Sequence, residues 1–159
     1  MYIPYYNVIK GIIEDGNLGF QEIDWFKDQY SIDYAAAATV DFPSCYIQFL
    51  PMEWTEHSQE GGFSEASVII HVVGFQLDDS PNSIMNLAKS LSNHLSGKSD
   101  SNVTPVMGEM TKASTDYSIT KGSNGYLIGF KLGFNTVFLD TALDQYTTDV
   151  TVNYVLSKQ

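Results

Sequence analysis

Apolar and polar positions alternate most regularly between residues 126 and 138. Tyr126, Ile128, Phe130, Leu132, Phe134 and Phe138 share one parity, and Gly129, Lys131, Gly133 and Asn135 the other. A period of two predicts a strand with one buried face. The two glycines predict a bend, or a place where another chain comes close. A second one-sided alternation, Val150, Val152, Tyr154 and Leu156, predicts a final strand. Cys45 to Trp54 is apolar on both parities, so it predicts a strand that is central or covered on both sides. Pro51 should weaken its end. The polar stretch Glu56 to Phe63 then reads as a hairpin connection and Ala66 to Phe75 as the returning strand. Leu18 to Trp25 predicts a less regular strand, and Ala35 to Ala38 a helical turn or connector. Pro105 to Lys112 is a strand candidate, followed by a polar turn region through Asn124-Gly125.

Two segments change to the helical period. Tyr5, Val8, Ile9, Ile12 and Ile13 predict a helix from about Pro4 to Glu14, stopped by Asp15-Gly16-Asn17. Ile84, Leu87, Ala88, Leu91 and Leu95 form one stripe between Ser80, a suitable N-cap, and Gly97, a suitable stop. Pro81 suits the first helical position, and Asp78 and Asp79 complement the positive helix start. The expected architecture is α+β: one domain over residues 1–159, a mainly antiparallel sheet, an N-terminal helix, and the helix of about 81–96 on the apolar face.

Composition narrows the function. The chain has no arginine; its basic residues are lysines, and its formal net charge is −11. Guanidinium grips phosphate and carboxylate with a planar, permanently charged fork. Its absence argues against an ordinary nucleic-acid binder or nucleotide enzyme. Cys45 is the single cysteine, so no intrachain disulfide can form. The first ten residues lack the pattern of a signal peptide, and no apolar run approaches the ~18 residues of a spanning helix. These features predict an acidic protein made in the cytoplasm, with no membrane partner.

The residues that could carry chemistry do not form a motif. His57, His71 and His94 lack ligand spacing, so they read as one sheet histidine and two surface ones, and no metal site is expected. Cys45 begins an apolar strand and reads as a small hydrophobe of the core, not a nucleophile. Gly122-Ser123-Asn124-Gly125 reads as a hairpin turn and not a phosphate cradle. The acidic groups Glu14-Asp15, Asp78-Asp79 and Glu53/Glu56/Glu60 match no calcium-loop spacing and read as caps and solvated loops. No catalytic residue and no cofactor is expected. The stripe from Tyr126 to Phe138 reads as a core face, because a base-stacking platform would sit beside positive charge and only Lys121 and Lys131 are near. The glycine-bearing opposite face is then the more plausible functional surface.

Several ordered segments resemble the tail-terminator (tail-completion) proteins of long-tailed bacteriophages and prophages, including divergent forms from Bacteroides-type hosts. The matching pieces are Phe42-Pro43-Ser44-Cys45-Tyr46-Ile47-Gln48-Phe49, Met52-Glu53-Trp54, and Ala66-Ser67-Val68-Ile69-Ile70-His71-Val72-Val73. The helix Ile84 to Leu95 and the piece Phe134-Asn135-Thr136-Val137-Phe138-Leu139-Asp140 complete the set. The resemblance implies a non-enzymatic subunit of a homo-oligomeric ring, typically a hexamer, which caps the tail tube and meets the head connector. It implies residence in the virion tail and no catalytic residues. Glu56 to Phe63 and Lys112 to Asn124 match no motif of that family. Such loops would hold partner contacts, which makes Glu53, Trp54, Glu56, His57, Phe63, Lys112, Asp116 and Tyr117 the candidate interface residues. An acidic ring wall without guanidinium would also let DNA slide past without specific binding. The alternative expectation is a small acidic binding module or hydrolase-like enzyme with its site in the acidic loops.

Overall fold

The structure is a computed structural model that describes residues 3–29, 41–53, 55–56, 62–100, 106–122 and 124–139. The elements in chain order are α1 (Ile3–Asp15), β1 (Glu22–Trp25), β2 (Ser44–Phe49), β3 (Thr55–Glu56), β4 (Gly62–Gln76), α2 (Asn82–Leu95), β5 (Val106–Met107), β6 (Thr111–Lys121) and β7 (Tyr126–Leu139). All the strands belong to one sheet, in the order β1-β2-β4-β7-β5. β3 adds to β4, and β6 adds to β7. Every pairing is antiparallel except β1 with β2. The fold is therefore α+β, as expected.

Two long strands make the spine. β4 and β7 pair continuously from Phe63↔Leu139 to Gln76↔Tyr126. The register places Val68 opposite Phe134, Ile70 opposite Leu132 and Val72 opposite Phe130, so the apolar parities of both strands share a face. Both helices lie on that face. Ile84, Ala88, Leu91 and Leu95 of α2 and Tyr5, Tyr6, Ile9 and Ile13 of α1 join the same core. The Tyr5 ring stacks on Phe138 at 3.9 Å, and the Tyr6 ring stacks on Trp25 at 4.2 Å. Gly74 lets α2 seat closely: a Cβ there would lie 2.1 Å from Cδ1 of Ile84.

The reverse face is not simply polar. Tyr46, Val73 and Leu127 form a second buried apolar cluster, with Phe26, Phe42 and Phe75 packed against it. β2 is thus covered on both sides, as its two apolar parities predict. It ends at Phe49, earlier than the expected Trp54, before Pro51.

Other boundaries shift for local reasons. α2 has Pro81, not Ser80, at its N-cap, and Ser80 instead donates its N–H to Asp78 Oδ1 at 3.0 Å. Gly97 takes φ +79, the left-handed conformation expected after the helix. β1 is confined to Glu22–Trp25 because Asn17 and Gly19 have positive φ and turn the chain first. The expected connector at Ala35 to Ala38 and the expected last strand, Val150 to Leu156, lie outside the described residues.

The largest difference concerns Lys112 to Asn124. It was expected to be mostly turn, yet Thr111–Lys121 is an eleven-residue strand. A turn follows, in which the Gly122 N–H bonds the Gly125 carbonyl at 2.7 Å. Thr115, Tyr117 and Ile119 are β-formers at period two. That signal is present in the sequence, but the polar residues between them outweigh it.

Candidate functional site

β6 is held at only one edge. It pairs with β7 from Thr111↔Asn135 to Lys121↔Tyr126, and among the described residues no other strand pairs with it. All eleven of its residues are exposed. A β-bulge between Lys112 and Ser114 lies opposite Phe134 and Gly133. A Cβ on Gly133 would lie 2.2 Å from the Ser114 hydroxyl, so the close approach expected at one of these glycines is made by β6 itself.

The start of β6 is anchored through the residues after α2. The Gly97 N–H bonds the Met110 carbonyl, and the Met110 N–H bonds the Lys98 carbonyl, both at 2.8 Å. Asp100 and Met107 form a two-way antiparallel bridge. Lys112 Nζ donates to Asn93 Oδ1 on α2 at 2.7 Å. These bonds fix one end of the ribbon, and among the described residues nothing pairs with its outer edge.

Register sets what the ribbon presents. Tyr117 is opposite Phe130 and Ile119 is opposite Ile128, so both lie on the helix-bearing face. The Tyr117 ring stacks on Phe130 at 5.5 Å but remains 59% exposed, and Ile119 is 39% exposed. Asp116 is opposite Lys131 on the reverse face. Of the expected interface residues, Lys112, Asp116 and Tyr117 therefore share one edge strand, not a loop, with Tyr117 and Asp116 on opposite faces of it.

The other expected residues lie on the far flank. β3 pairs with β4 at Thr55↔Phe63 and Glu56↔Gly62, on the side of β4 away from β7. Glu56 and Phe63 thus have backbone positions in a short hairpin, and Glu53 is exposed just before it. Trp54 and His57 lie outside the described residues. The two groups of candidates do not converge on one site; they mark opposite flanks of the β4–β7 spine.

The reactive side chains are placed as follows. Cys45 is fully buried in the main core, and burial pushes its thiol pKa upward, away from the nucleophilic thiolate. His71 is 1% exposed, stacks on Phe26 at 4.1 Å and lies 2.7 Å from Gln48 Oε1. Burial, and then the neighbouring Lys131 charge, lower its pKa to about 4. His94 is not on an open surface: its Nε2–H reaches the Ile12 carbonyl at 2.7 Å and ties α2 to α1. Among the described residues no group of three or more His, Cys, Asp or Glu could hold a metal. An open cleft of ≈ 560 Å³ lies where β6 begins, lined by Glu65, Ser67, Glu109, Thr111 and Asn135 among others. No helix among the described residues is long and apolar enough to cross a membrane.

No protein-family model matches the chain, and no curated protein matches it. Among solved structures it is similar to a chain of the virion of a native gene transfer agent particle. The identity is 10% and the TM-score 0.48, over 83% of this chain and 84% of that one. At that identity no side chain is carried from that particle to this protein.

Proposed function

We propose that this protein is a structural subunit of a phage or prophage tail, a ring-forming tail terminator or head–tail joining protein. It acts without catalysis: it is made in the bacterial cytoplasm and ends in the virion tail. The observation that carries this reading is the ribbon β6, an eleven-residue edge strand exposed along its whole length. Unpaired strand edges template pairing with another chain, so a long one without a protein partner is a liability. A subunit whose edge is covered on assembly has a use for it.

The position of the second patch favours a ring. A closed ring needs two different, complementary surfaces on opposite flanks, whereas a two-fold dimer uses one surface twice. Glu53 and the β3 hairpin lie on one flank of the spine, and Lys112, Asp116 and Tyr117 on the other. The tail tube and the head connector would meet the two rims. The net charge of −11 and the absence of arginine suit a lumen through which DNA slides without being held.

Light scattering coupled to size exclusion, with electron microscopy of the same fractions, tests this. Concentration-dependent rings, typically hexamers, are expected. A strict monomer up to high concentration would overturn the assignment. The acidic-module alternative would place its site in the cleft beside Glu65 and Glu109. It predicts a monomer whose ligand binding is lost in the double variant E65Q/E109Q.

A further inference from the structure

Charge is unevenly shared along this chain. Residues 1–81 carry thirteen Asp and Glu against two Lys, whereas residues 82–139 carry three against five. The sheet order turns that imbalance into two unlike flanks, because β1 and β2 stand at one end and β7 and β6 at the other.

On the second flank, Lys112 is opposite Phe134 and Lys121 is opposite Tyr126, so both lie on the helix-bearing face of β6. The exposed side chains of Tyr117 and Ile119 lie between them on that face, and Asp116 is on the other. β6 thus presents a strip with a lysine at each end and an apolar centre. The lysines are nine residues apart, about 30 Å at the rise of an antiparallel strand. Lys112 reaches the neutral Asn93, and neither lysine forms an ion pair among the described residues.

The first flank carries the complement. Asp41 precedes β2 and Glu53 follows it, so two exposed carboxylates stand beyond opposite ends of that strand. Ile23 and Trp25 of β1 pair with Cys45 and Ile47 between them, half-buried and on the helix-bearing face. Asp24 is held by Lys27 at 3.0 Å, but Asp41 and Glu53 form no ion pair among the described residues. The twelve residue steps between those two acids span at most about 40 Å, enough to match the lysine spacing. This flank reads acid, apolar, acid where β6 reads lysine, apolar, lysine.

We propose that the helix-bearing face of β6 docks on the β1–β2 flank of a second copy of this chain, its lysines against Asp41 and Glu53. Every copy carries both halves of the contact, as a closed head-to-tail ring requires. That complementarity selects a second copy as the partner. Net charge alone argues the other way, since identical chains of −11 repel. At physiological ionic strength, however, charges more than about 8 Å apart are largely screened, so the pairs in contact decide the outcome. Exposed ion pairs add little affinity; they fix orientation and partner choice, while Tyr117 and Ile119 leave water.

This inference rests on the ring reading and names the contact that repeats around the ring. Light scattering of the full-length wild-type chain tests it first. Raising the salt from about 0.15 M to about 1 M should raise the concentration at half-assembly about tenfold. An unchanged or lower concentration overturns the proposal, because screening a mutual repulsion favours association. Charge reversal tests the pairing itself. K112E/K121E makes both flanks acidic and D41K/E53K makes both basic, so each variant alone should be monomeric. An equimolar mixture should form rings in which the two variants alternate. Rings in either variant alone overturn this contact and leave the ring reading standing. A mixture that stays monomeric, beside a wild-type chain that forms rings, gives the strip to a different partner and also overturns it. A wild-type chain that is strictly monomeric overturns both readings. Amide hydrogen exchange in β4 should match wild type in both variants, and the salt series decides even where one of them unfolds.

Discussion

β7 has two long neighbours that share its hydrogen bonds but almost nothing else. On one side β4 pairs with it over fourteen residues and contributes Ala66, Val68, Ile70 and Val72 to the core. On the other side β6 pairs over ten and buries none of its residues. The backbone ladder is similar in both; what differs is what lies above it. α1 and α2 cover the β4 side, so apolar side chains there leave water on folding, which is where most of the stabilisation arises. Backbone hydrogen bonds add little net free energy because the unfolded chain bonds water instead. β6 is therefore a strand by pairing and a surface by packing, and only such a strand is available to a partner.

That contrast can be broken by substitution. Phe134→Ala, at the centre of the covered face, should lose about 3–5 kcal/mol of stability, measured by chemical denaturation. Tyr117→Ala stacks against the same face from β6 and should lose far less. Equal losses would mean that β6 is packed as tightly as the helix-covered centre of β7.

His71 sharpens the comparison from within β4. It is neutral when folded, with a pKa of about 4 against 6.5 in the unfolded chain. Its contribution is complete above about pH 6.5 and is lost as the pH falls toward 4, because the unfolded state then binds the extra proton. The wild-type protein should lose up to about 3 kcal/mol over that window. In His71→Phe that part of the slope should vanish. A retained slope in the variant would assign it to the carboxylates.

Gly74 tests how closely α2 is seated. Gly74→Ala should cost about 1–3 kcal/mol through collision with Ile84. Adding Ile84→Val should recover part of the loss, because it removes the Cδ1 methyl that the new Cβ meets first. Additive losses would mean that the helix shifts instead. The smallest expected effect on stability is that of Ile119→Lys on β6, within about 0.5 kcal/mol. The same variant should weaken ring formation by light scattering; unchanged assembly would remove β6 from the interface.

Much of the covered region was legible because burial writes periodicity into a sequence. The stripe of α2, the alternation of β7 and the two apolar parities of β2 each match the element found. The candidate site was half legible. Lys112, Asp116 and Tyr117 were singled out for lacking a known motif, yet they were expected in a loop. An exposed strand has no buried parity to impose alternation, so its polar residues read as turn. Likewise His94 looks like a surface residue of an amphipathic helix, and only the position of α1 turns it into an interhelical bond.

By itself, the sequence determined the α+β composition of elements, the apolar face of the sheet and the acidic, arginine-free surface. Each follows from local periodicity or from composition, which need no knowledge of distant neighbours. Only the tertiary structure decided that β6 is a strand, that it forms an edge, and that the two candidate patches stand on opposite flanks. Those facts depend on which strands pair. Pairing is set by contacts between residues far apart in the chain, and an exposed strand records almost none of them in its own side chains.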